Sequence, residues 1–106
     1  MSKKYIKNGM VAVLFSPGFG AGWSTWNKEH PELVFDSFIA DLLEKNDPDY
    51  LEKIQAYCAL QYPDCYLGGL EDLTVQWLPV GTKFTVEEYD GSESIQVLDQ
   101  VDWFVA

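Results

Sequence analysis

A short apolar run that ends abruptly is the feature that most limits how this chain can fold. Residues 10–15 read Met-Val-Ala-Val-Leu-Phe, a continuous apolar stretch rich in strand formers, which predicts a buried β-strand. Pro17 follows almost at once and cannot donate to a sheet, while glycines at 18, 20 and 22 favour unusual backbone angles. The strand therefore ends near Phe15, and a loop has to follow it.

Two short helices are predicted in the middle of the chain, after a short extended piece at residues 32–35. Asp36 is a natural N-cap for the first helix, which ends near Asn46. Asp47 caps the second helix and Pro48 occupies its first turn. The apolar stripes of the two helices are Phe38, Ile39, Leu42 and Leu43, and Leu51, Ile54 and Cys58.

The C-terminal half alternates between apolar and polar residues, as strands do. The alternating segments lie at residues 73–78, 83–89, 93–98 and 101–105. Asp90-Gly91 is a strong hairpin turn, and Asn8-Gly9 is a second one near the N-terminus. The segments therefore predict an antiparallel meander.

These elements predict a single domain over residues 1–106 with an α+β fold. The N-terminal strand and the C-terminal meander form a small curled antiparallel sheet, and the two short helices cover one face of it. A chain of 106 residues can bury enough apolar surface to fold without a metal or a disulfide. Uncovered sheet edges favour self-association, so a homo-oligomer is expected.

The charge of the chain is strongly negative. Seventeen Asp and Glu face seven Lys, no Arg is present, and the net charge is −10. Direct nucleic-acid binding is disfavoured because phosphate neutralisation and base reading need clustered basic groups. The acids either keep the protein soluble or form a surface for a basic partner; in the second case the charged face is Glu71, Asp72, Glu87, Glu88, Asp90, Glu93 and Asp99.

The remaining composition argues against a membrane, a metal or a cofactor. The chain has no apolar run long enough for a membrane span and no signal peptide at its start, which predicts a cytoplasmic protein. Cys58 and Cys65 fit no CxxC spacing and are expected to be reduced thiols. His30 is the only histidine, so no histidine-based metal cluster is expected, and its place before Pro31 favours an exposed turn.

The glycine- and tryptophan-rich loop is the main candidate binding site. Successive glycines let main-chain N–H groups converge on an anion or a flat ligand, tryptophans offer stacking faces, and Ser, Thr and Asn side chains offer hydrogen bonds. The spacing matches neither a dinucleotide fingerprint nor a P-loop. The alternatives are a tight loop whose tryptophans fill the core, or a protein-binding loop. The candidate residues are Ser16, Gly18, Phe19, Gly20, Ala21, Gly22, Trp23, Ser24, Thr25, Trp26 and Asn27.

A second candidate lies further along the chain. Gly68 and Gly69 are followed by Glu71, whose carboxylate could contact hydroxyls or amines of a ligand or could simply end a turn. No nucleophile motif pairs with His30, and no catalytic residue is assigned.

A comparison with a known group of proteins rests on the loop and on four later segments. They are residues 16–27, Gly68-Gly69-Leu70-Glu71-Asp72, Trp77-Leu78-Pro79, Gly81-Thr82-Lys83-Phe84 and Glu88-Tyr89-Asp90-Gly91. Over nearly its whole length the chain resembles small proteins of bacteriophages and prophages. The resemblance implies an accessory protein made in the bacterial cytoplasm, of a kind that often counters host defence. It assigns no binding or catalytic residue.

Three functions are compatible with these features. The first is a non-enzymatic protein that binds and sequesters a small nucleotide-derived signal of host immunity. The second is an acidic inhibitor that occupies the basic surface of a host nuclease or DNA-binding complex, as a DNA mimic does. The third is an enzyme that degrades such a signal. Pockets between the subunits of an oligomer would favour the first.

Overall fold

The computed structural model describes residues 4–18 and 22–97. Its first sheet has three antiparallel strands in the order β1 (Ile6–Lys7), β2 (Met10–Phe15) and β3 (Thr74–Pro79). The turn between β1 and β2 is Asn8-Gly9, and both residues have positive φ, 54° and 76°. The predicted hairpin turn is therefore confirmed, and the buried strand at residues 10–15 lies at the centre of this sheet.

Two helices follow as predicted, with one boundary corrected. Helix α1 (Ser37–Glu44) begins after Asp36, whose carboxylate accepts the N–H of Ile39 at 3.1 Å. Asn46, with φ of 54°, ends this helical segment. Helix α2 (Tyr50–Gln61) begins later than predicted, because Asp47 accepts the N–H of Asp49 in a turn before the helix starts.

The last two described strands form a sheet of their own. Strands β4 (Phe84–Tyr89) and β5 (Ser92–Val97) pair through an Asp90-Gly91 turn with φ of 49° and 87°. The α+β class is confirmed, but the predicted strands lie in two small sheets, because β3 pairs with β2 and not with β4. The predicted strand at residues 101–105 lies outside the described residues.

The central sheet is covered on both faces. Alternate residues of a strand point to opposite faces, and those of β2 divide between two clusters of buried side chains. One cluster joins the sheet to α1 and α2, and the other joins it to the β4–β5 hairpin. The first includes Ala12, Leu14, Ile39 and Ile54, and the second includes Val13, Leu78, Val86 and Ile95.

The connection before α1 differs from the extended piece predicted there. Pro31–Phe35 forms a 3₁₀ helix with Pro31 at its first position. Leu33 and Val34 of this 3₁₀ helix are both buried, Leu33 in the first cluster and Val34 in the second. None of the described helices combines the length and apolar character needed to cross a membrane.

Candidate functional site

The glycine- and tryptophan-rich loop is organised around a carboxylate from β5. Glu93 is only 2% exposed. One of its oxygens accepts the main-chain N–H of Ser16 at 2.9 Å, and the other accepts those of Trp23 at 2.8 Å and Thr25 at 3.0 Å. The Thr25 hydroxyl donates to the second oxygen as well. The N–H groups of Ser16, Trp23 and Thr25 therefore surround an anion, and this anion is a side chain of the same protein.

Two loop glycines are explained by the close approach of other groups. A Cβ on Gly22 would lie 2.6 Å from the Thr25 hydroxyl and 3.1 Å from the Glu93 carboxylate. A Cβ on Gly18 would collide with the carboxylate of Asp72. A side chain at position 18 would displace the Asp72 carboxylate, and one at position 22 would displace Thr25 and Trp26.

Trp23 and Asn27 use their polar groups within the fold. Trp23 is fully buried, and its indole N–H donates to the carbonyl of Leu33 at 3.0 Å. The Asn27 amide donates to the carbonyls of Trp23 at 2.8 Å and Tyr66 at 2.9 Å and accepts the Tyr66 N–H at 2.6 Å. Trp23 is thus a core residue, and Asn27 clamps the loop to the segment that carries Tyr66.

Trp26 remains on the surface. It is 40% exposed and stacks on Tyr66, which is 49% exposed, with ring centroids 5.5 Å apart and 26° between the planes. Gly68 lies against the Tyr66 ring, where an added Cβ would be 2.5 Å from the ring carbon that carries the hydroxyl. We call this exposed pair of rings the Trp26–Tyr66 face. This face brings together Trp26, from the predicted glycine- and tryptophan-rich loop, and Gly68, from the second predicted site.

A small cavity of about 100 Å³ adjoins this face. His30 is half-buried there, and its ring packs edge-on against Tyr62 with ring centroids 5.2 Å apart. The prediction of an exposed histidine is therefore wrong. Its Nε2 atom is buried and has no hydrogen-bond partner among the described residues. The lining residues are Trp26, Asn27, Lys28, Glu29, His30 and Asp64.

The other predicted site residues are more scattered. Ser24 is half-buried in a 3₁₀ turn, Ser24–Trp26, and Gly69 is buried. Glu71 is exposed on a second 3₁₀ turn, Leu70–Asp72, just before β3. Phe19, Gly20 and Ala21 lie outside the described residues. The structure therefore brings Trp26, Asn27 and Gly68 together at one face. The main-chain N–H groups of Ser16, Trp23 and Thr25 donate instead to the Glu93 carboxylate.

The predicted acidic face needs one correction. Glu71, Asp72, Glu87, Glu88 and Asp90 are exposed, whereas Glu93 is buried because its carboxylate is needed by the loop N–H groups. Asp99 lies outside the described residues. The signal for the burial of Glu93 was present in the strand pattern, since Glu93 shares a strand face with Ile95, which packs against a buried cluster.

The sequence did not predict a further hollow in the described structure. It is a groove of about 630 Å³ between the α1–α2 connection and β3. At one end the Asp47 carboxylate accepts a hydrogen bond from Lys53 at 2.6 Å, which lowers the pKa of Asp47. No motif marks this groove, because its walls come from elements far apart in sequence: Leu42, Leu43, Glu44, Asn46, Asp47, Pro48, Tyr50, Leu73, Thr74, Val75 and Trp77.

Two further titratable groups are tied into the helix layer. The Tyr57 and Tyr62 hydroxyls both donate to one oxygen of Asp36 at 2.7 Å, and burial together with this contact raises the pKa of Tyr57. A hydrogen bond between the thiols raises the pKa of Cys58 and lowers that of Cys65. Among residues 4–18 and 22–97, no group of three or more His, Cys, Asp or Glu side chains is placed to hold a metal ion.

Comparison of the chain with protein-family models, with curated proteins and with solved structures gave no match. The fold and the site define the molecule as a small α+β domain with an internally satisfied anion loop and an exposed aromatic face.

Proposed function

We propose that this protein is a non-enzymatic binding protein that captures a small, flat, nucleotide-derived molecule on the Trp26–Tyr66 face. The observation that carries the proposal is the exposure of two stacked rings in a fixed arrangement, with Asn27 hydrogen-bonded to the backbone on both sides of the stack. Rigid exposed rings bind flat ligands with little loss of side-chain entropy. Stacking of one base contributes about 1–3 kcal/mol.

The charges of the side chains around the Trp26–Tyr66 face indicate where the anionic group of the ligand would bind. The N–H groups of Ser16, Trp23 and Thr25 are engaged by Glu93 and do not reach a ligand without displacing it. Lys28 and His30 line the cavity beside Trp26 together with the acids Glu29 and Asp64, and Lys28 supplies a cation there. The ligand's ring therefore lies on the aromatic face and its anionic group near Lys28.

The small size of the cavity favours a second copy of the protein in the ligand-bound state. A cavity of about 100 Å³ is well below the roughly 300–1,000 Å³ of pockets that enclose a drug-sized ligand. Tight sequestration needs most of the ligand surface buried, so another protomer closes over the face. The resemblance to bacteriophage proteins supports a setting in which such capture counters bacterial immunity.

The test is isothermal titration against cyclic dinucleotides and ADP-ribose derivatives, with molecular mass measured by light scattering. We expect a ligand that binds with an increase in mass, and Trp26→Ala should weaken its affinity about 5- to 150-fold. Phe38→Ala is the matched control, because Phe38 is 44% exposed and stacks on Tyr57 elsewhere on the surface.

Two results would count against capture. If no ligand in the panel binds, or if Phe38→Ala weakens binding as much as Trp26→Ala, the aromatic face is not the site. Ligand recovered after denaturation should be chemically unchanged, and a changed product would instead support an enzyme that degrades the signal.

A second candidate function is an acidic inhibitor of a basic host protein. It is favoured by uncompensated charge: the two ion pairs among the described residues are Lys45–Asp41 and Lys53–Asp47, so the exposed acids of the β4–β5 hairpin have no cationic partner there. Steering by such charge makes association fall steeply with salt.

A pull-down from host lysate at low and high salt tests this candidate. The doubly substituted protein Glu87→Gln, Asp90→Asn should lose a salt-sensitive partner that the unchanged protein retains. Asn is chosen because position 90 has φ of 49°, which Asn adopts readily. A partner that both proteins retain at high salt would count against charge mimicry.

A further inference from the structure

The groove beside β3 borders an open edge of the central sheet. The described residues place β2 on one side of β3 and no strand on the other. The Ala12 N–H donates to the carbonyl of Tyr5, on the β1 side of β2. Ala12 is the register partner of Trp77, so this pair exchanges no main-chain hydrogen bond, and the N–H and C=O of Trp77 point to the free edge.

The same alternation applies two residues earlier, at Val75. The side chains of Val75 and Trp77 also line the groove of about 630 Å³. These two residues therefore offer main-chain donors and acceptors at the edge and apolar contact in the hollow beside it. This combination is what an added strand requires, because its backbone needs an edge and its alternate side chains need a pocket.

We propose that an extended, basic segment of a partner protein adds to β3 as a further strand and places a Lys or Arg side chain beside Trp77 and Glu44. Glu44 lines the groove, is exposed, and forms no ion pair with the described residues. Trp77 lines the groove together with this carboxylate, and its ring packs on Tyr5 with centroids 5.7 Å apart. A cation in the groove gains from both the charge and the ring.

The charges around the groove favour this occupant over an anionic one. Asp47 is already neutralised by Lys53, which leaves Glu44 as the carboxylate to be matched. Lys7 lines a smaller adjoining hollow with Glu44 and Trp77 but is not ion-paired to Glu44. The net charge of −10 favours the approach of a basic segment to the protein.

This inference goes beyond ligand capture and shares no residue with the Trp26–Tyr66 face. Amide hydrogen exchange measured by NMR tests it first on the free protein. The amides of Val75 and Trp77 should exchange faster than those of Gln76 and Leu78, which face β2. Protection of Val75 and Trp77 in the free protein would overturn the proposal, because the edge would already be covered by residues 98–106 or by a second copy.

The second measurement is a titration with a short peptide of alternating Lys and Val, with a Glu-Val peptide as the charge control. The basic peptide should protect the Val75 and Trp77 amides. Glu44→Gln should weaken its binding about two- to fivefold, whereas Glu52→Gln, an exposed acid of α2 outside the groove, should not. Absence of protection, equal binding of the Glu-Val peptide, or an equal effect of Glu52→Gln would each overturn the proposal.

Discussion

The main-chain N–H of Trp23 donates to the carboxylate of Glu93 at 2.8 Å, although 70 residues separate them in sequence. This bond, with those from Ser16 and Thr25, attaches the β4–β5 hairpin to the loop that follows β2. The backbone of the hairpin adds a bond of its own, since the Glu93 N–H donates to the Ser16 carbonyl at 2.8 Å. The loop is therefore a hydrogen-bonded connection between the two sheets.

Replacing the carboxylate of Glu93 should weaken this connection and lower the stability of the protein. In Glu93→Gln one oxygen becomes an N–H₂ group that faces main-chain donors, so at least one hydrogen bond between the loop and the carboxylate is lost. We expect the free energy of unfolding to fall by about 3 kcal/mol, since hydrogen bonds to charged groups contribute about 1.5–3 kcal/mol each. Urea denaturation followed by tryptophan fluorescence measures it.

Glu87→Gln is the control for that substitution, because Glu87 is an exposed residue of the same hairpin. Its effect should stay within about 0.5 kcal/mol. Equal destabilisation by both variants would mean that the loss of charge, and not the loss of the buried acceptor, is responsible.

The Asn27 clamp gives a second prediction. Asn27→Asp has nearly the same shape but cannot donate to the carbonyls of Trp23 and Tyr66. We expect a loss of about 2–4 kcal/mol in unfolding free energy and a change in the NMR signals of Tyr66. Tyr66 signals that remain unchanged would show that the ring stack does not depend on Asn27.

The hydroxyl of Tyr57 should make stability depend on alkaline pH. Burial and the hydrogen bond to Asp36 raise the pKa of Tyr57 in the folded protein. Its contribution is therefore fully present below the pKa of an unfolded tyrosine, about 10, and is lost as pH rises above it, because only the unfolded chain ionises there. Urea midpoints at about pH 8 and pH 11 should differ less in Tyr57→Phe than in the unchanged protein.

Tyr89→Phe is the matched control, since Tyr89 is 73% exposed at the end of β4. It should retain the full alkaline loss of stability. The prediction is wrong if Tyr57→Phe retains that loss as well.

The two cysteines should differ in reactivity. The hydrogen bond with the Cys58 thiol lowers the pKa of Cys65, while the same contact and burial raise the pKa of Cys58. Because the thiolate is the reactive form, N-ethylmaleimide should modify the folded protein at Cys65 alone and both residues after unfolding. Mass spectrometry of the intact protein and of its peptides measures this.

Cys65→Ser supplies the control for the alkylation. The folded variant should resist modification, because Cys58 is 1% exposed. Faster modification of Cys58 than of Cys65 in the unchanged protein would contradict the assignment.

Local interactions explain which features could be predicted from the sequence. The turns at Asn8-Gly9 and Asp90-Gly91 need positive φ at both residues, and Asn, Asp and Gly tolerate it best. The Asp36 cap acts on a residue three positions away. The short extended piece at residues 32–35 was predicted wrongly, since Pro31–Phe35 is a 3₁₀ helix whose Leu33 and Val34 are buried by residues distant in sequence.

For the candidate site, the sequence indicated the right loop but not what holds it. The glycines at 18, 20 and 22 predicted main-chain donors for a ligand, whereas the donors that surround an anion in the structure are those of Ser16, Trp23 and Thr25, and the anion is Glu93. That Glu93 provides the anion could not be read from composition, because an acid in an alternating strand is ordinarily exposed. The distinction between buried Trp23 and exposed Trp26 likewise depends on how Leu33 and Tyr66 fold back on the loop.

The sequence by itself determined the strand at residues 10–15, the two helices, the two hairpin turns and the Asp36 cap, because each depends on residues within a few positions of one another. The tertiary structure alone decided that Glu93 fills the loop, that β3 lies at an open edge, and that a groove forms beside Trp77. Those features depend on contacts between residues tens of positions apart, whose free energy is realised only when the whole core assembles.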